Sequence, residues 1–368
     1  MSTEAPQRVV LAGGSGFLGT GLATALSREQ RFEPVILTRS PRQVGGQAGG
    51  RAGGRAGGPA GGGFRQVAWD ARTPGAWVRE LEGAAAVVNL VGRSVDCRKT
   101  PANKRLILES RVDSVRALAA GLKQVERPPA VWVQSGTAHI YGDTDDELLD
   151  ESSPFGTGLA PDVGRAWEAA LAEADAPGTR KVVLRISFVL GRDGPAGGGA
   201  LATLARLTRF GLGGTVGHGR QYISWLHEAD LQAMVLRAID DPSMAGAYVA
   251  TAPNPVTNRD FMAELRRALS RPWSPPAPAP LVRFGSWLLR TDPELALLGR
   301  RCVPTRLMNE GFKFAFPELR GALQDLLTAP AGRAGGADGG GDGDGDIGGD
   351  GDGGGEAGRP AGPKPLDE

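Results

Sequence analysis

The chain has 368 residues, with 42 lysines and arginines against 41 aspartates and glutamates, and this near-neutral charge argues against a dedicated nucleic-acid-binding protein. Its two cysteines cannot form a disulfide framework and lack metal-ligand spacing, so we expect a cytoplasmic protein without a metal site. The sequence also has no uninterrupted run of about 18 apolar residues, and no membrane partner is expected.

Short apolar runs alternate with helical patterns through the first half of the chain. Six runs predict buried strands because they are almost continuously apolar, and apolar residues recur at helical spacing between them. This alternation is typical of a parallel sheet covered on both faces, so we expect an α/β Rossmann fold with a doubly wound sheet. The predicted strands are Arg8–Ala12, Pro34–Thr38, Arg65–Trp69, Ala85–Val91, Val131–Ser135 and Lys181–Ile186. A first helix is predicted after residue 19, and further helices span Ala76–Glu82, Pro101–Val125 and Ala166–Ala174.

A glycine- and alanine-rich segment interrupts this pattern after the second predicted strand. Residues 44–63 repeat Ala-Gly-Gly and include many of the 57 glycines of the chain. Such side chains cannot offset the entropy lost on ordering, so the segment predicts a flexible loop insert.

Helices and long connections replace the alternation from Thr203 onward. We predict a Rossmann domain over residues 8–270 and a small, mostly helical C-terminal domain over residues 271–329. Asp230 is predicted to cap a helix that starts at Leu231. The further helices are predicted over Asp260–Leu269, Leu281–Leu289 and Pro317–Leu327.

The last segment, residues 330–368, is acidic and rich in glycine, and it predicts a disordered tail. Because aspartate and glycine alternate in this segment, a calcium-binding loop is the alternative to a disordered tail. Ile347 stands where an EF-hand requires glycine, however, and Gly353 stands where it requires glutamate. The solvated tail is therefore the favoured interpretation.

Three glycines form the clearest functional motif, between the first predicted strand and the first predicted helix. In a Rossmann turn the first glycine permits a tight turn, the second lets the backbone approach a pyrophosphate, and the third lets the helix pack on the strand. The helix N-terminus then faces the anion. A glycine turn that serves helix packing alone is the alternative. The predicted dinucleotide-binding residues of the turn are Gly13, Ser15, Gly16, Phe17, Leu18 and Gly19.

The end of the second predicted strand determines which nicotinamide cofactor is expected. An acidic residue there would bind the ribose 2′-hydroxyl of NAD, whereas this chain has Thr38 and Arg39. A guanidinium can bind the 2′-phosphate of NADP bidentately, so NADP is expected over NAD unless Arg39 is only a surface arginine. Asp70, after the third strand, is predicted to meet the adenine edge. The predicted cofactor contacts on the fourth and fifth strands are Asn89, Leu90, Val91, Gly92 and Ser135.

Further segments match a known family in order along the chain. They include Leu37–Arg39, Asn89–Gly92, Ser110–Val112, Ser135–Ala138, Trp167–Glu168, Gly211–Gly214, Ser224–His227 and Ala252–Thr257. With the glycine turn, they resemble the sugar-nucleotide epimerase-like family of atypical short-chain dehydrogenase/reductases over about residues 8–327. Residues 303–327 look like the small C-terminal domain of that family. The resemblance implies an NAD(P)-binding epimerase or oxidoreductase.

This chain matches only part of the catalytic set of the short-chain dehydrogenase/reductase superfamily. That set is a serine or threonine hydroxyl with a Tyr-x-x-x-Lys pair, in which a tyrosinate accepts the substrate proton. Thr137 matches the hydroxyl, with Ser135 as a nearby alternative. Ala160 and Gly164 stand where the tyrosine and lysine would be.

Other side chains are candidate substitutes for the missing pair. His139 can act as an acid or base near neutral pH, unless it is a structural histidine. Tyr141 is expected to form a wall of the nicotinamide pocket, and Glu168 to orient the site from its helix. Lys104, Arg105 and Arg111 either bind an anionic ligand or form a solvated helix face. The predicted catalytic residues are Thr137, Tyr141 and His139.

These observations favour an NADP-binding epimerase- or oxidoreductase-like protein that acts on a small-molecule substrate. The missing Tyr-Lys pair favours a different class, a non-catalytic dinucleotide-sensing or scaffold protein, and the resemblance extends to relatives linked to cell division. The sequence leaves the oligomeric state open.

Overall fold

The computed structural model describes residues 5–41, 63–144, 146–192 and 199–328. All of the predicted insert except Gly63 lies outside these described residues, and so does the predicted tail, residues 330–368. Within the described ranges, no helix is long and apolar enough to cross a membrane.

A seven-stranded parallel sheet confirms the predicted Rossmann architecture. Its strands are β1 Gln7–Ala12, β2 Phe32–Thr38, β3 Arg65–Ala68, β4 Ala86–Asn89, β5 Val131–Thr137, β6 Arg180–Ile186 and β7 Gly246–Ala250. They lie side by side in the order β7-β6-β5-β4-β1-β2-β3. The chain runs outward from β1 to β3 and then returns to place β4 on the other side of β1, so the topological switch point lies between β1 and β4. There Ala12 of β1 pairs with Asn89 of β4.

Helices pack on both faces of the sheet and form the C-terminal part of the described chain. They are α1 Phe17–Arg28, α2 Pro101–Leu122, α3 Leu159–Glu173, α4 Gly199–Arg209, α5 Glu228–Asp240, α6 Asn258–Ala268, α7 Ala279–Leu289, α8 Glu294–Leu297, α9 Thr305–Asn309 and α10 Leu319–Thr328. Two 3₁₀ helices span Ala76–Glu80 and Ala138–Tyr141. Short strands outside the main sheet are Leu148–Leu149, Phe188–Leu190, Tyr222–Ile223, Trp225–His227, Val256–Thr257 and Arg301–Cys302.

The two faces of the sheet bury separate apolar clusters, which explains why its strands are continuously apolar. Along β1, Val9 and Leu11 join the cluster formed with α1 and α5, whereas Val10 and Ala12 join the cluster formed with α2 and α3. Successive side chains of a strand point to opposite faces, so a strand covered on both sides needs apolar residues at every position. Each fully buried aliphatic side chain contributes about 1.5–3 kcal/mol to the stability of the fold.

The structure differs from the predicted elements at several places: α4, α8 and α9 were not predicted, and the helix predicted over Ala76–Glu82 is a 3₁₀ helix over Ala76–Glu80. The edge strand β7 was not predicted, because Gly246-Ala-Tyr-Val-Ala250 is short and opens with glycine. Helix α3 begins at Leu159, well before the predicted start at Ala166. The predicted Asp230 cap is wrong: α5 begins at Glu228, and the Nδ1 atom of His227 accepts the cap hydrogen bond from the Ala229 N–H.

Asp230 has a different role, inside the first turn of α5. Its carboxylate accepts hydrogen bonds from the backbone N–H groups of Ala315 and Phe316, at 2.7 and 3.1 Å. It therefore ties the segment before α10 to the first turn of α5. A third apolar cluster places Leu323 of α10 with Phe261 of α6, on either side of the predicted boundary at residue 270. That boundary stays a prediction.

The glycine turn before α1 gives a direct test of the fold. A Cβ atom added to Gly19 would lie 2.6 Å from the carbonyl carbon of Gly14, so the helix can approach its own turn only without a side chain there. We expect Gly19→Ala to lower the free energy of unfolding by about 1–3 kcal/mol through overpacking, measured by urea denaturation.

Gly321→Ala is the matched control, because nothing lies within 4 Å of a Cβ added at that position in α10. Alanine at an unhindered helix position stabilises by roughly 0.5–1 kcal/mol. Equal effects of the two substitutions would contradict the close approach at Gly19.

Candidate functional site

The glycine turn lies at the carboxyl edge of the sheet, beside the switch point. Gly13 has a φ of +79°, and a Cβ there would lie 3.0 Å from the carbonyl carbon of Leu90. Gly16 is the N-cap residue of α1, and no described side chain caps this helix. The first N–H groups of a helix lack partners within the helix, so the N-terminus of α1 provides donors and a positive dipole end for an anion.

Several predicted cofactor residues meet around one small cavity between α1 and the ends of β4, β5 and β6. Phe17, Leu18, Leu90 and Ser135 line it, together with Glu228. Glu228 was missed by the sequence analysis, although it directly follows His227 in a segment that matched the family. Burial raises the pKa of Glu228, while a hydrogen bond from the Arg192 N–H at 3.0 Å lowers it in part.

Asn89 positions the backbone that follows β4. Its Nδ2 donates to Ser114 Oγ at 3.1 Å and to Gln134 Oε1 at 3.0 Å, and its Oδ1 accepts from the Val91 N–H at 3.1 Å. The side chain is completely buried. It therefore holds the segment from Leu90 to Gly92 in place, and the backbone of that segment is what borders the crevice.

Thr38 and Arg39, the residues at the end of β2 that were predicted to bind the nucleotide, lie beside the glycine turn and on the surface, respectively. Thr38 Oγ1 lies 3.4 Å from Ser15 Oγ of the glycine turn. Arg39 is exposed, and no carboxylate among the described residues pairs with it within 4.0 Å. Asp70, by contrast, accepts three hydrogen bonds from Arg72 and Thr73, led by the Thr73 N–H, and these lower its pKa. Asp70 is thus a fixed carboxylate in a turn.

The predicted catalytic residues follow β5, where Thr137 caps the short helix Ala138–Tyr141. The Thr137 Oγ1 atom accepts a hydrogen bond from the His139 N–H at 3.2 Å. Its own proton stays free for donation to another acceptor. Thr137 therefore has a hydroxyl of known position at the carboxyl edge of the sheet.

Tyr141 belongs to a buried network with two charged residues. Arg185 of β6 donates from Nη1 to the Tyr141 Oη at 2.8 Å, and its Nε and Nη2 donate to the two carboxylate oxygens of Glu168, each at 2.8 Å. Burial raises the pKa of Tyr141, although Arg185 opposes the shift. A phenol with a raised pKa and a committed oxygen is a poor source of tyrosinate. These contacts favour a structural role for Tyr141, and its catalytic role stays a prediction.

Helix α3 has no room for a lysine at Gly164, the position where the resemblance would place the lysine of the Tyr-Lys pair. A Cβ added to Gly164 would lie 2.9 Å from the Ile140 side chain, so this face of α3 packs directly on the short helix after β5. Ala160, one turn earlier, is exposed. Glu168 lies further along the same helix. Its carboxylate pairs with Arg185 and so is not free to accept a proton from a substrate.

His139 lies among positive charges. Burial lowers its pKa well below 6.5, and Arg300 and Lys99 lower it further. Arg300 donates from Nε to the Gly142 carbonyl oxygen at 2.9 Å, and Lys99 pairs with Asp292 at 2.8 Å. His139 is therefore neutral near pH 7. Within the described ranges, no three His, Cys, Asp or Glu side chains form a group that could hold a metal.

The buried ion pair predicts a large stability loss when one partner becomes neutral. The side chains of Arg185 and Glu168 are 6% and 18% exposed, so Glu168→Gln leaves a buried guanidinium without its carboxylate. We expect the free energy of unfolding to fall by about 3 kcal/mol at pH 7, measured by urea denaturation. Glu29→Gln removes the carboxylate of the exposed pair with Arg31 and should cost less than about 1 kcal/mol. Similar losses in the two variants would disprove the buried pair.

The histidine environments predict which imidazole rings titrate. Burial lowers the pKa of His227 to about 4 despite the nearby Asp325 carboxylate, and the pKa of His139 is also lowered. In a ¹⁵N NMR titration, the ring signals of both residues should stay constant from pH 8 to pH 6, with assignments from His139→Asn and His227→Asn. A His139 midpoint near 6.5 would contradict the neutral state assigned to this ring.

Two family models match the chain. One, the NAD dependent epimerase/dehydratase family, matches residues 9–250, and the other, a domain of unknown function named DUF1731, matches residues 277–326. Among curated proteins, the epimerase family protein SDR39U1 of Bos taurus is 31% identical over 327 residues, which are 87% of this chain and 99% of the relative. The epimerase family protein YfhF of Bacillus subtilis is 28% identical over 87% of this chain and 97% of its own length.

Solved structures give the same assignment. Human epimerase family protein SDR39U1 (isoform 2), crystallised with NADPH, superposes with a TM-score of 0.73 at 28% identity, over 88% of this chain and 99% of that chain. A nucleoside-diphosphate sugar epimerase from Corynebacterium glutamicum superposes with a TM-score of 0.65 at 27% identity, over 88% of this chain and 58% of that one. The resemblance inferred from the motifs is confirmed, and the chain belongs to the NAD dependent epimerase/dehydratase family.

Proposed function

We propose that this protein binds NADP(H) at the switch point between β1 and β4 and acts as an epimerase- or oxidoreductase-like protein on a small molecule. The observation that carries the proposal is the position of the glycine turn, which packs on the Leu90 backbone and presents the uncapped N-terminus of α1. Ligands of open α/β sheets bind outside the carboxyl ends of the strands at this point. The NADPH in the human SDR39U1 structure supports the same assignment.

The residues present fit this cofactor. The first turn of α1, from Phe17, would hold the pyrophosphate through backbone N–H groups. Arg39, exposed after β2, would pair with the 2′-phosphate of NADP, and the neighbouring Thr38 and Ser40 bring no negative charge that would repel it. When bound, NADP(H) supplies hydride-transfer chemistry to the site.

The chain's own contribution to chemistry centres on Thr137. Its hydroxyl keeps a free proton, so it would donate to a substrate oxygen at the carboxyl edge of β5. Neutral His139 would act through hydrogen bonds rather than as an imidazolium acid. These groups suit a small molecule with a hydrogen-bonding oxygen.

A non-catalytic dinucleotide-sensing or scaffold protein is the second candidate. One observation favours it: Gly164 packs against Ile140 where a lysine would stand, and Tyr141 is held by Arg185. Stopped-flow measurement of NADPH oxidation with carbonyl compounds, and of transient NADP⁺ reduction with nucleotide sugars, distinguishes the two. A redox change of the cofactor that Thr137→Val abolishes supports the enzyme, whereas tight binding of both cofactor forms without any redox change supports the sensor or scaffold.

Reversing the charge at Arg39 tests the cofactor assignment. Loss of a charge-assisted contact with a phosphate is worth about 1.5–3 kcal/mol, or roughly tenfold to a hundredfold in affinity. We expect Arg39→Asp to weaken NADPH binding by at least this factor and to leave NADH binding within about twofold, measured by isothermal titration calorimetry.

Arg116→Asp is the matched control, because Arg116 is an exposed arginine in the second half of α2 to which no cofactor contact is assigned, and the change should leave both affinities unchanged. Equal affinity of the parent protein for NADPH and NADH would remove the role assigned to Arg39. Absence of binding of either nucleotide would overturn the proposed function itself.

A further inference from the structure

Arg111 of α2 has a half-buried guanidinium with unusual surroundings. Its Nη1 donates to the carbonyl oxygens of Ile107 and Arg93, at 3.0 and 3.2 Å. Its Cζ lies 5.0 Å from the centre of the Trp167 ring on α3. The guanidinium is therefore held in a defined place between α2 and α3.

No described carboxylate compensates this charge. Among the residues that the structure describes, none places an Asp or Glu oxygen within 4.0 Å of Arg111, and the neighbouring acids of α2 are engaged elsewhere: Glu109 with Arg105 and Asp113 with Arg72. Burial lowers the pKa of Arg111 to about 10, so it still carries its charge near neutral pH. Buried charges in proteins are normally paired or bind an ion of opposite sign.

The guanidinium lies on the β4 side of the switch point. A Cβ added to Gly92 would lie 3.0 Å from both Cζ and Nη2 of Arg111. Two residues earlier, the carbonyl carbon of Leu90 lies 3.0 Å from the position that a Cβ on Gly13 would occupy. The short segment after β4 therefore touches the glycine turn at one end and Arg111 at the other.

The geometry points to Arg111 as an anion-binding residue of the crevice, which takes a phosphate or carboxylate group through its Nε and Nη2 donors. Neither atom donates to a described residue, whereas Nη1 is used to anchor the side chain. The inference rests on the proposed function, because the crevice is the one assigned to NADP(H). The anion is either the nicotinamide-side phosphate of the pyrophosphate, which Arg111 would bind together with the N–H groups of α1, or a group of an anionic substrate.

Two variants separate charge from packing. Arg111→Gln keeps donors for the two carbonyl oxygens and removes the charge, whereas Arg111→Lys keeps the charge and removes the planar fork. Arg116→Gln, at an exposed position of the same helix, is the matched control. Calorimetric titrations use three probes: adenosine 2′,5′-bisphosphate, NADPH, and inorganic phosphate added to NADP-saturated protein.

If the anion is in the nicotinamide half, Arg111→Gln should weaken NADPH at least about tenfold and leave adenosine 2′,5′-bisphosphate within about twofold. If it is in the substrate, NADPH affinity should stay constant and phosphate affinity should fall at least about tenfold. Arg111→Lys should lose less than Arg111→Gln in either case, and Arg116→Gln should lose nothing.

The anion site is overturned if both Arg111 variants bind NADPH and phosphate as the parent does, or if the lysine variant retains no more affinity than the glutamine variant. Retained binding of adenosine 2′,5′-bisphosphate shows that a variant is folded. If Arg111→Gln fails this check, the lysine variant decides, and the anion site then requires that Arg111→Lys binds NADPH or phosphate more weakly than the parent. Should the parent bind neither nucleotide, the proposed function fails, and phosphate titration of the free parent and its variants still tests Arg111.

Discussion

The contact between the glycine turn and the backbone after β4 is the constraint on which the site depends. Gly13 can touch the Leu90 carbonyl, and Gly19 can touch Gly14, only because neither carries a side chain. Asn89 supports the same contact from inside the sheet by holding the Val91 N–H. As a result the N-terminus of α1 opens directly onto the crevice at the switch point, where its N–H groups and dipole favour an anion.

The two halves of the crevice differ in character. On the β2 side, the turn and the exposed Arg39 form a surface suited to a phosphorylated nucleotide. On the β5 side, the carboxylate of Glu168 pairs with Arg185, and the phenol of Tyr141 accepts a hydrogen bond from the same arginine. Burial and nearby positive charges keep the imidazole of His139 neutral. Proton transfer by a tyrosinate is thus poorly supported, whereas hydrogen bonding by Thr137 and anion binding by Arg111 are compatible with every contact described.

Local patterns were sufficient to predict most of the sheet and the turn. Strands β1, β2, β4, β5 and β6 are largely buried, so each contains a nearly continuous apolar run, whereas the edge strand β3 is more exposed. The glycine spacing marks the turn without any tertiary information. The edge strand β7 was missed because its signal depends on pairing with β6, which is distant in the sequence. The His227 cap was missed because histidine is not one of the residues usually favoured at an N-cap. Tyr141 follows a strand as a site residue would, yet its burial against Arg185 is visible only in three dimensions. Arg111 lies on a helix with several charged residues, and only the three-dimensional positions of the nearby acids show that no described carboxylate pairs with it.

The site is best tested by a crystal structure of the protein grown with NADPH. Pyrophosphate oxygens should lie within hydrogen-bond distance of the N–H groups at the start of α1, from Phe17, and the 2′-phosphate should lie against Arg39. A dinucleotide bound away from the switch point, or a 2′-phosphate directed away from Arg39, would contradict this assignment of the site.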